Sequence, residues 1–186
     1  MTEVALAPDT TPQPPAMIVQ LLQKLAVPFQ VRQEQADLNP AQRVQAVLLE
    51  DELGALLALF PQSQLLDLSR LAELTGRKLV AVKPERLQRM LSKHQLALLP
   101  GLPALTSSPC LYEERLLQEP LLLIESGQAG VLLEIPSDAF KGLLSKASTA
   151  RFGEPLKLIQ PNLDRPHDDR AEITQAVLAF AARRVE

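Results

Sequence analysis

Two apolar runs separated by a short polar turn constrain the fold of this chain more than any other feature. Residues 42–61 read QRVQAVLLEDELGALLALFP, in which EDELG separates two hydrophobic stretches. Runs of this length bounded by turn-forming residues are typical of neighbouring β-strands. Gln45 is an uncharged amide inside the first run, so it is a functional residue, the remnant of one, or a polar residue without a role.

The rest of the chain mixes helix and strand patterns. LLDLSRLAELTG predicts a helix bounded by Asp67 as N-cap and Gly76 as C-terminal stop. KPERLQRMLSKH predicts a helix with Pro84 at its first position. PCLYEE, PLLLIES and GVLLEIP predict strands. Because strands and helices do not alternate evenly, we predict one mixed α/β domain.

The two ends differ in composition from this middle. Residues 1–15 are rich in proline and predict a disordered leader. We place the domain at residues 16–147 and a linker at residues 148–168. DDRAEITQAVLAFAARRVE predicts a final helix with its acids first and its arginines last. It has no terminating glycine or proline, so we expect that it leads to another domain if the natural chain continues past Glu186.

Composition excludes several classes of function. Aromatic residues make up 3% of the chain, which is too few for a base-stacking platform on single-stranded nucleic acid. No run is long and apolar enough to span a membrane, and no secretory signal is present. The single cysteine, Cys110, forms no intramolecular disulfide, fits a reducing cytoplasmic setting, and is predicted to be a small buried hydrophobic residue rather than a nucleophile.

Motifs for cofactors and metals are absent from the sequence. It contains no glycine-rich phosphate loop, no HExxH and no GxSxG. His94 and His167 are far apart and lack the spacing of metal ligands. We therefore predict no cofactor and no metal site.

One segment is strongly basic although the chain carries a net charge of −3. Between Arg77 and Lys93, six basic residues accompany a single acid, Glu85. Arg86, Arg89 and Lys93 share one helical face. This face is either a solvated surface or a patch that contacts RNA phosphates.

Three blocks in sequence resemble the YbaK / prolyl-tRNA synthetase-associated editing domain family. They are RVQAVLLEDELGALLALFPQSQLLDLSRLAELTGRKLVAVKPERL, LLPGLPALTSSPCLYEERLL and LLLIESGQAGVLLEIPSDAFKGLL. The resemblance implies a YbaK-like α/β fold with a mixed β-sheet or barrel core and surrounding helices. It also implies hydrolysis of mischarged aminoacyl-tRNA in trans, without a metal or a covalent nucleophile.

The resemblance assigns residues to a substrate pocket and also exposes departures. The slot of the family's key lysine falls on Gln45, and Leu96 takes the slot of a loop glycine. Pro100, Gly101, Ser126 and Gly127 are implied to line the pocket, and Arg86, Arg89 and Lys93 to contact tRNA. A milder departure is Glu113 in place of a usual aspartate.

Two hypotheses follow from these departures. In the first, the chain is a divergent aminoacyl-tRNA deacylase whose activity is weak or lost, since Gln45 keeps a donor but not the charge. In the second, the fold is kept as a degenerate ligand-binding or regulatory domain of a multidomain protein. A pocket beside Gln45 that is open to solvent favours the first, and one filled by Leu96, Leu98 or Leu99 favours the second.

Overall fold

Four helices lie within residues 11–155, the part of the chain that the computed structural model describes. They are α1 (Ala16–Lys24), α2 (Leu68–Thr75), α3 (Pro84–Ser92) and α4 (Ser137–Leu143). None of the helices in this range is long and apolar enough to cross a membrane. The predicted C-terminal helix and most of the predicted leader lie outside the described residues.

Ten strands form three sheets in the same range. The strands are β1 (Gln30–Gln33), β2 (Val44–Asp51), β3 (Gly54–Pro61), β4 (Gln64–Leu66), β5 (Val80–Ala81), β6 (Cys110–Glu113), β7 (Leu121–Glu125), β8 (Val131–Pro136), β9 (Ser148–Ala150) and β10 (Gly153–Pro155). The largest sheet has the order β9-β6-β3-β2-β5, a second has the order β1-β8-β7, and β4 pairs with β10. Parallel and antiparallel pairs both occur, so the predicted mixed α/β fold is confirmed.

The predicted hairpin forms the centre of the largest sheet. Strands β2 and β3 pair antiparallel over their full length, from Val44 opposite Pro61 to Asp51 opposite Gly54. The Arg77 guanidinium braces the turn, because its Nε donates to Asp51 Oδ2 (2.8 Å) and its Nη2 donates to the Gly54 carbonyl oxygen (3.0 Å). The helix after the hairpin also begins and ends as predicted. Asp67 Oδ1 accepts from the Arg70 N–H, and Gly76 adopts a φ of 69°.

Two hydrophobic clusters cover opposite faces of the largest sheet. Alternation along β2 sends Val44 and Leu48 to one cluster, and Val47 and Leu49 to the other. The first cluster joins the sheet to α1, α4 and strands β7 and β8. The second joins it to α2, β4 and Phe152. Strand β2 is therefore buried on both faces, which explains its nearly continuous run of apolar residues.

Residues after Ala147 also contribute to the sheets. Strand β9 pairs with β6, and β10 pairs with β4. Between them, Phe152 is buried and packs edge to face on Phe60, with ring centroids 6.3 Å apart. The packed unit thus extends to at least Pro155, beyond the boundary at residue 147 that the sequence suggested. At the other end, the Pro12 carbonyl oxygen accepts from Gln33 Nε2, so the last part of the predicted leader contacts the domain.

Candidate substrate pocket

A cavity of about 190 Å³ opens along one edge of β2. On the N-terminal side of the cavity, the Leu123 N–H donates to the Gln42 carbonyl oxygen (2.8 Å). On its C-terminal side, the Val82 N–H donates to the Leu48 carbonyl oxygen (3.0 Å). Strands β7 and β5 therefore reach β2 at separate points and leave a gap between them. Helix α3 and the following loop close this gap. The lining is formed by residues 43–48, by Leu87, Gln88 and Leu91 of α3, by residues 97–99 and by Glu125.

Gln45 lines this cavity and is half-buried. It lies opposite Phe60 in the β2–β3 ladder and, two residues from Val47 and four from Leu49, shares their face of the strand. Its side chain therefore leaves the strand on the face of the second cluster, at the margin of the cavity. An amide in this position offers a hydrogen-bond donor and an acceptor but no charge.

The other residues implied to line the pocket are buried. Pro100, Gly101, Ser126 and Gly127 are all buried and are not among the residues that line the cavity beside Gln45. A Cβ atom on Gly101 would lie 3.4 Å from Val44 Cγ1, so this glycine is packed against the sheet. Ser126 Oγ accepts from the Gln128 N–H (3.1 Å) within the turn between β7 and β8. Pro100 lines a second cavity of about 160 Å³, which shares Leu87, Leu91 and Leu99 with the first.

The side chain of Leu96 fills the space beside Gly127. It is buried in the first cluster, and its Cδ2 atom lies 2.7 Å from the position that a Cβ atom on Gly127 would take. The Ala97 N–H also donates to the Gly127 carbonyl oxygen (2.8 Å), which docks the loop onto the turn. A glycine at position 96 would leave this space open. Leu98 and Leu99 form walls of the cavity beside Gln45 and do not fill it.

Two charged residues of the pocket were missed by the sequence analysis. Arg43 and Glu125 both line the cavity, and Arg43 Nη2 contacts Glu125 Oε2 at 3.2 Å and Glu34 Oε1 at 2.8 Å. Their signal in the sequence was weak, since each stands at one end of an apolar strand. Gln88 of α3 also lines the cavity and was missed because it lies in a helix whose polar residues are mostly exposed.

Helix α3 carries the basic face on its outer side. Arg86, Arg89 and Lys93 are exposed, while Leu87 and Leu91 of the same segment face the cavity. Arg86 forms an ion pair with Glu50. Arg89 and Lys93 are therefore the members of this face for which no ion pair is found within residues 11–155. One helix thus supplies a wall of the cavity and a positively charged surface beside it.

The remaining candidate residues are Cys110 and the two histidines. Burial raises the pKa of the Cys110 thiol to about 12, so the thiol stays protonated and is a poor nucleophile at neutral pH. His94 is exposed just after α3. In residues 11–155, no three His, Cys, Asp or Glu side chains come together as metal ligands. His167 lies outside the described residues.

Comparison with known proteins adds a family and a fold. The family model described as "Aminoacyl-tRNA editing domain" matches residues 29–143. A solved structure of a proposed trans-editing enzyme for prolyl tRNA synthetase is 22% identical, with a TM-score of 0.63 over 77% of this chain and 99% of that one. A scaffold protein used for epitope grafting is 23% identical, with a TM-score of 0.62 over 77% of this chain and 99% of that one. Among curated proteins no match is found.

A further match extends over more of the chain. A proposed signal transduction protein from Marinobacter aquaeolei VT8 is 28% identical, with a TM-score of 0.74 over 88% of this chain. The chain spans 36% of the length of that protein. The resemblance drawn from the three sequence blocks is confirmed by the family match.

Proposed function

Because the chain belongs to the aminoacyl-tRNA editing domain family, we propose that the cavity beside Gln45 receives the aminoacyl group of an aminoacyl-tRNA and hydrolyses its ester slowly or not at all. The observation that carries this proposal is an open cavity beside Gln45, the position onto which the family resemblance carries a lysine. The reaction would take place in the cytoplasm, where aminoacyl-tRNA is made and used.

The size of the cavity supports a small ligand. Pockets for drug-sized molecules measure roughly 300–1,000 Å³, whereas this cavity measures about 190 Å³. That space suits an amino-acid residue and not a whole nucleotide. The apolar wall of Leu87, Leu91 and Leu99 would face a small side chain. The nucleotides of the acceptor end would then lie outside the cavity.

The chemistry of Gln45 supports weak catalysis. Ester hydrolysis develops negative charge on oxygen in the transition state, and a positive charge nearby stabilises it. A hydrogen bond to a charged group is worth about 1.5–3 kcal/mol, against about 1 kcal/mol for a neutral pair. Since each 1.36 kcal/mol is tenfold in rate, this difference of about 0.5–2 kcal/mol predicts that an amide in place of a lysine slows the chemistry roughly twofold to thirtyfold.

The position of Leu96 supports the same conclusion. A buried leucine occupies the space over Gly127 that a glycine would leave to the substrate. Substrate cannot then approach the main chain of Gly127, Pro100 and Gly101, which the family resemblance implies as pocket residues. The loss of charge at position 45 and the leucine at position 96 would thus both weaken hydrolysis.

The basic face of α3 supports contact with tRNA. Arg89 and Lys93 are exposed on the helix whose inner side lines the cavity. Phosphates of an acceptor stem would lie against these residues when the aminoacyl group is in the cavity. Binding of this kind is driven by release of counterions and weakens steeply as salt rises.

Hydrolysis of alanyl-, cysteinyl- and seryl-tRNA tests the proposal. We expect the wild-type rate to lie close to the spontaneous rate and Gln45→Lys to exceed wild type by roughly twofold to thirtyfold. Gln88→Lys is the matched control, because it places the same charge in the same cavity from α3 and should not accelerate hydrolysis. Fast hydrolysis by wild type would contradict the loss of activity. If neither wild type nor Gln45→Lys hydrolyses or binds these tRNAs at low salt, the editing function fails.

A second candidate is a ligand-sensing module without catalysis. It is favoured by the 28% identity to the Marinobacter protein described as a signal transduction protein, of whose length this chain spans 36%. In this case the cavity would bind a free small amino acid, and other parts of a longer protein would respond. Thermal unfolding with L-alanine, L-serine and L-proline tests it, because a ligand that binds the folded state raises the Tm. A rise in Tm without any tRNA binding would favour this candidate, and no rise would exclude it for these amino acids.

A further inference from the structure

Two cavities of the protein share one wall. The first is the cavity beside Gln45, of about 190 Å³, and the second measures about 160 Å³. Three leucines line both of them: Leu87 and Leu91 of α3, and Leu99 of the following loop. A side chain that lines both spaces lies at the boundary between them. These three residues are therefore called the leucine partition.

The second cavity continues the apolar surface of the leucine partition. The rest of its lining is formed by Met90, His94, Leu96, Pro100, Leu105 and residues 106–108. Most of these side chains are apolar, and the polar ones come from the end of α3 and from the loop before β6. The space on the far side of the partition is therefore suited to a hydrocarbon group.

Leu99 differs from the other two members of the partition. Leu87 and Leu91 lie one turn apart on α3, the helix that also carries the basic face, and Leu91 is buried in the first cluster. Leu99 is half-buried and approaches from the loop. Shortening Leu99 therefore opens the partition without changing α3 and without removing a fully buried side chain.

The main chain on both sides of Leu99 is held in place. The Gly127 carbonyl oxygen accepts from the N–H groups of Ala97 (2.8 Å) and Leu98 (3.3 Å). Pro100 follows Leu99, and its ring is buried and fixes its own φ. Displacement of Leu99 by a larger ligand would have to break these contacts. The partition therefore acts as a fixed limit on the size of the first cavity.

We infer that Leu99 sets the upper size of the aminoacyl side chain that the site accepts, because it closes the first cavity against the second. This inference rests on the proposed function and names the residue that selects among its substrates. The methyl group of an alanyl ligand fits within the first cavity. The branched end of a leucyl side chain needs the space that Leu99 occupies.

The variant Leu99→Ala and a leucyl ligand are matched in size. The substitution removes an isopropyl group from the protein, and a leucyl side chain exceeds an alanyl side chain by the same isopropyl group. Apolar pockets discriminate between ligands that differ by one methylene group by roughly 10- to 200-fold. We therefore expect wild type to prefer the alanyl ligand and Leu99→Ala to accept both.

Binding of two non-hydrolysable probes tests this inference. The probes are 3′-(L-alanylamino)-3′-deoxyadenosine and 3′-(L-leucylamino)-3′-deoxyadenosine, and their affinities for the full chain are measured by NMR titration. We expect wild type to bind the alanyl probe about tenfold more tightly or better. Leu99→Ala should reduce this preference to about twofold or less, or reverse it.

The matched control is Leu105→Ala. Leu105 is half-buried like Leu99, and it lines the second cavity but is not among the residues that line the first. Its truncation enlarges the second cavity and leaves the leucine partition in place. Leu105→Ala should therefore keep the wild-type preference for the alanyl probe.

The outcomes separate the two proposals. Equal affinity of wild type for both probes overturns the role of Leu99 and leaves the editing function standing. So does a preference that Leu99→Ala retains, or one that Leu105→Ala removes to the same extent. Failure of the alanyl probe to bind wild type overturns both proposals. Leu99→Val, a smaller truncation, should show an intermediate preference, and it keeps the test decisive if Leu99→Ala does not fold.

Discussion

The Cδ2 atom of Leu96 lies 2.7 Å from the position that a Cβ atom on Gly127 would occupy. Gly127 also has a φ of 99°, a backbone conformation that other residues rarely adopt. These two residues close the part of the pocket that the family resemblance implies is open. The Pro100 side chain also packs at this point, since its Cγ atom lies 3.5 Å from the same position.

Replacement of Gly127 should therefore be costly. Gly127→Ala places a methyl group against Leu96 and forces alanine to a positive φ, so we expect a loss of at least about 2 kcal/mol in the free energy of unfolding. Urea denaturation measures it. Gly142→Ala, in α4 with open space around it, is the control and should be neutral or slightly stabilising. In the double variant with Leu96→Ala and Gly127→Ala the clash is absent, so its loss in free energy of unfolding should be smaller than the sum of the two single losses. If the two losses add fully, the contact does not contribute.

The basic residues of α3 should not contribute equally to tRNA binding. Arg86 forms an ion pair with Glu50, so it can bind a phosphate only if this ion pair is broken or shared. We expect Arg89→Ala and Lys93→Ala each to weaken binding several-fold and to lower the salt slope by about 1, and Arg86→Ala to do less. Filter binding over a range of salt concentrations measures both quantities. Lys146→Ala, at an exposed position in the turn after α4, is the control, and a larger effect of Arg86→Ala than of Arg89→Ala would contradict the assignment.

We expect the Glu113 carboxylate to stabilise the folded protein. Its side chain is fully buried, and its Oε2 atom accepts from the N–H groups of Phe152 (2.7 Å) and Gly153 (2.8 Å). Burial alone would raise its pKa, but hydrogen bonds from Arg115 and from these two N–H groups outweigh burial, and the pKa is lowered. Glu113→Ala leaves these donors without their acceptor, and we expect a loss of about 3 kcal/mol in urea denaturation.

The neighbouring Glu114→Ala serves as the control for Glu113. Glu114 pairs with Arg151 at the surface, where both side chains are exposed. Such pairs contribute less than about 1 kcal/mol. Equal losses for the two variants would show that Glu113 does not anchor the segment around Phe152.

The turn of the β2–β3 hairpin should respond to acid. The hydrogen bond from Arg77 holds the pKa of Asp51 well below its ordinary value, at about 2. A carboxylate with a lowered pKa in the folded state stabilises the protein fully above about pH 4, and its contribution is lost as the pH falls toward 2. Urea denaturation from pH 6 to pH 2.5 should show this loss in wild type and a flatter profile in Asp51→Asn. Parallel profiles would exclude the ion pair as the cause.

Local patterns predicted most of the secondary structure. The hairpin of β2 and β3 followed from two apolar runs and one turn, and α2 followed from Asp67 and Gly76, because strands, caps and turns depend on neighbours in sequence. Strands β9 and β10 were taken for part of a linker. They are three residues each, and what holds them is pairing with β6 and β4 and the packing of Phe152 on Phe60. Such distant contacts leave no periodic pattern in the sequence.

The sequence by itself determined the family, the mixed α/β fold and the absence of a lysine at position 45. Those properties follow from the order of the predicted strands and helices along the chain and from the identity of residue 45. Only the tertiary structure determined that the Leu96 side chain packs over Gly127 and that Gln45 borders an open cavity. It alone brought Arg43, Ala46 and Glu125 to that cavity, because they come from β2, from the residue before it and from the end of β7. Their proximity depends on where two strands diverge, and that is a property of the sheet rather than of any segment.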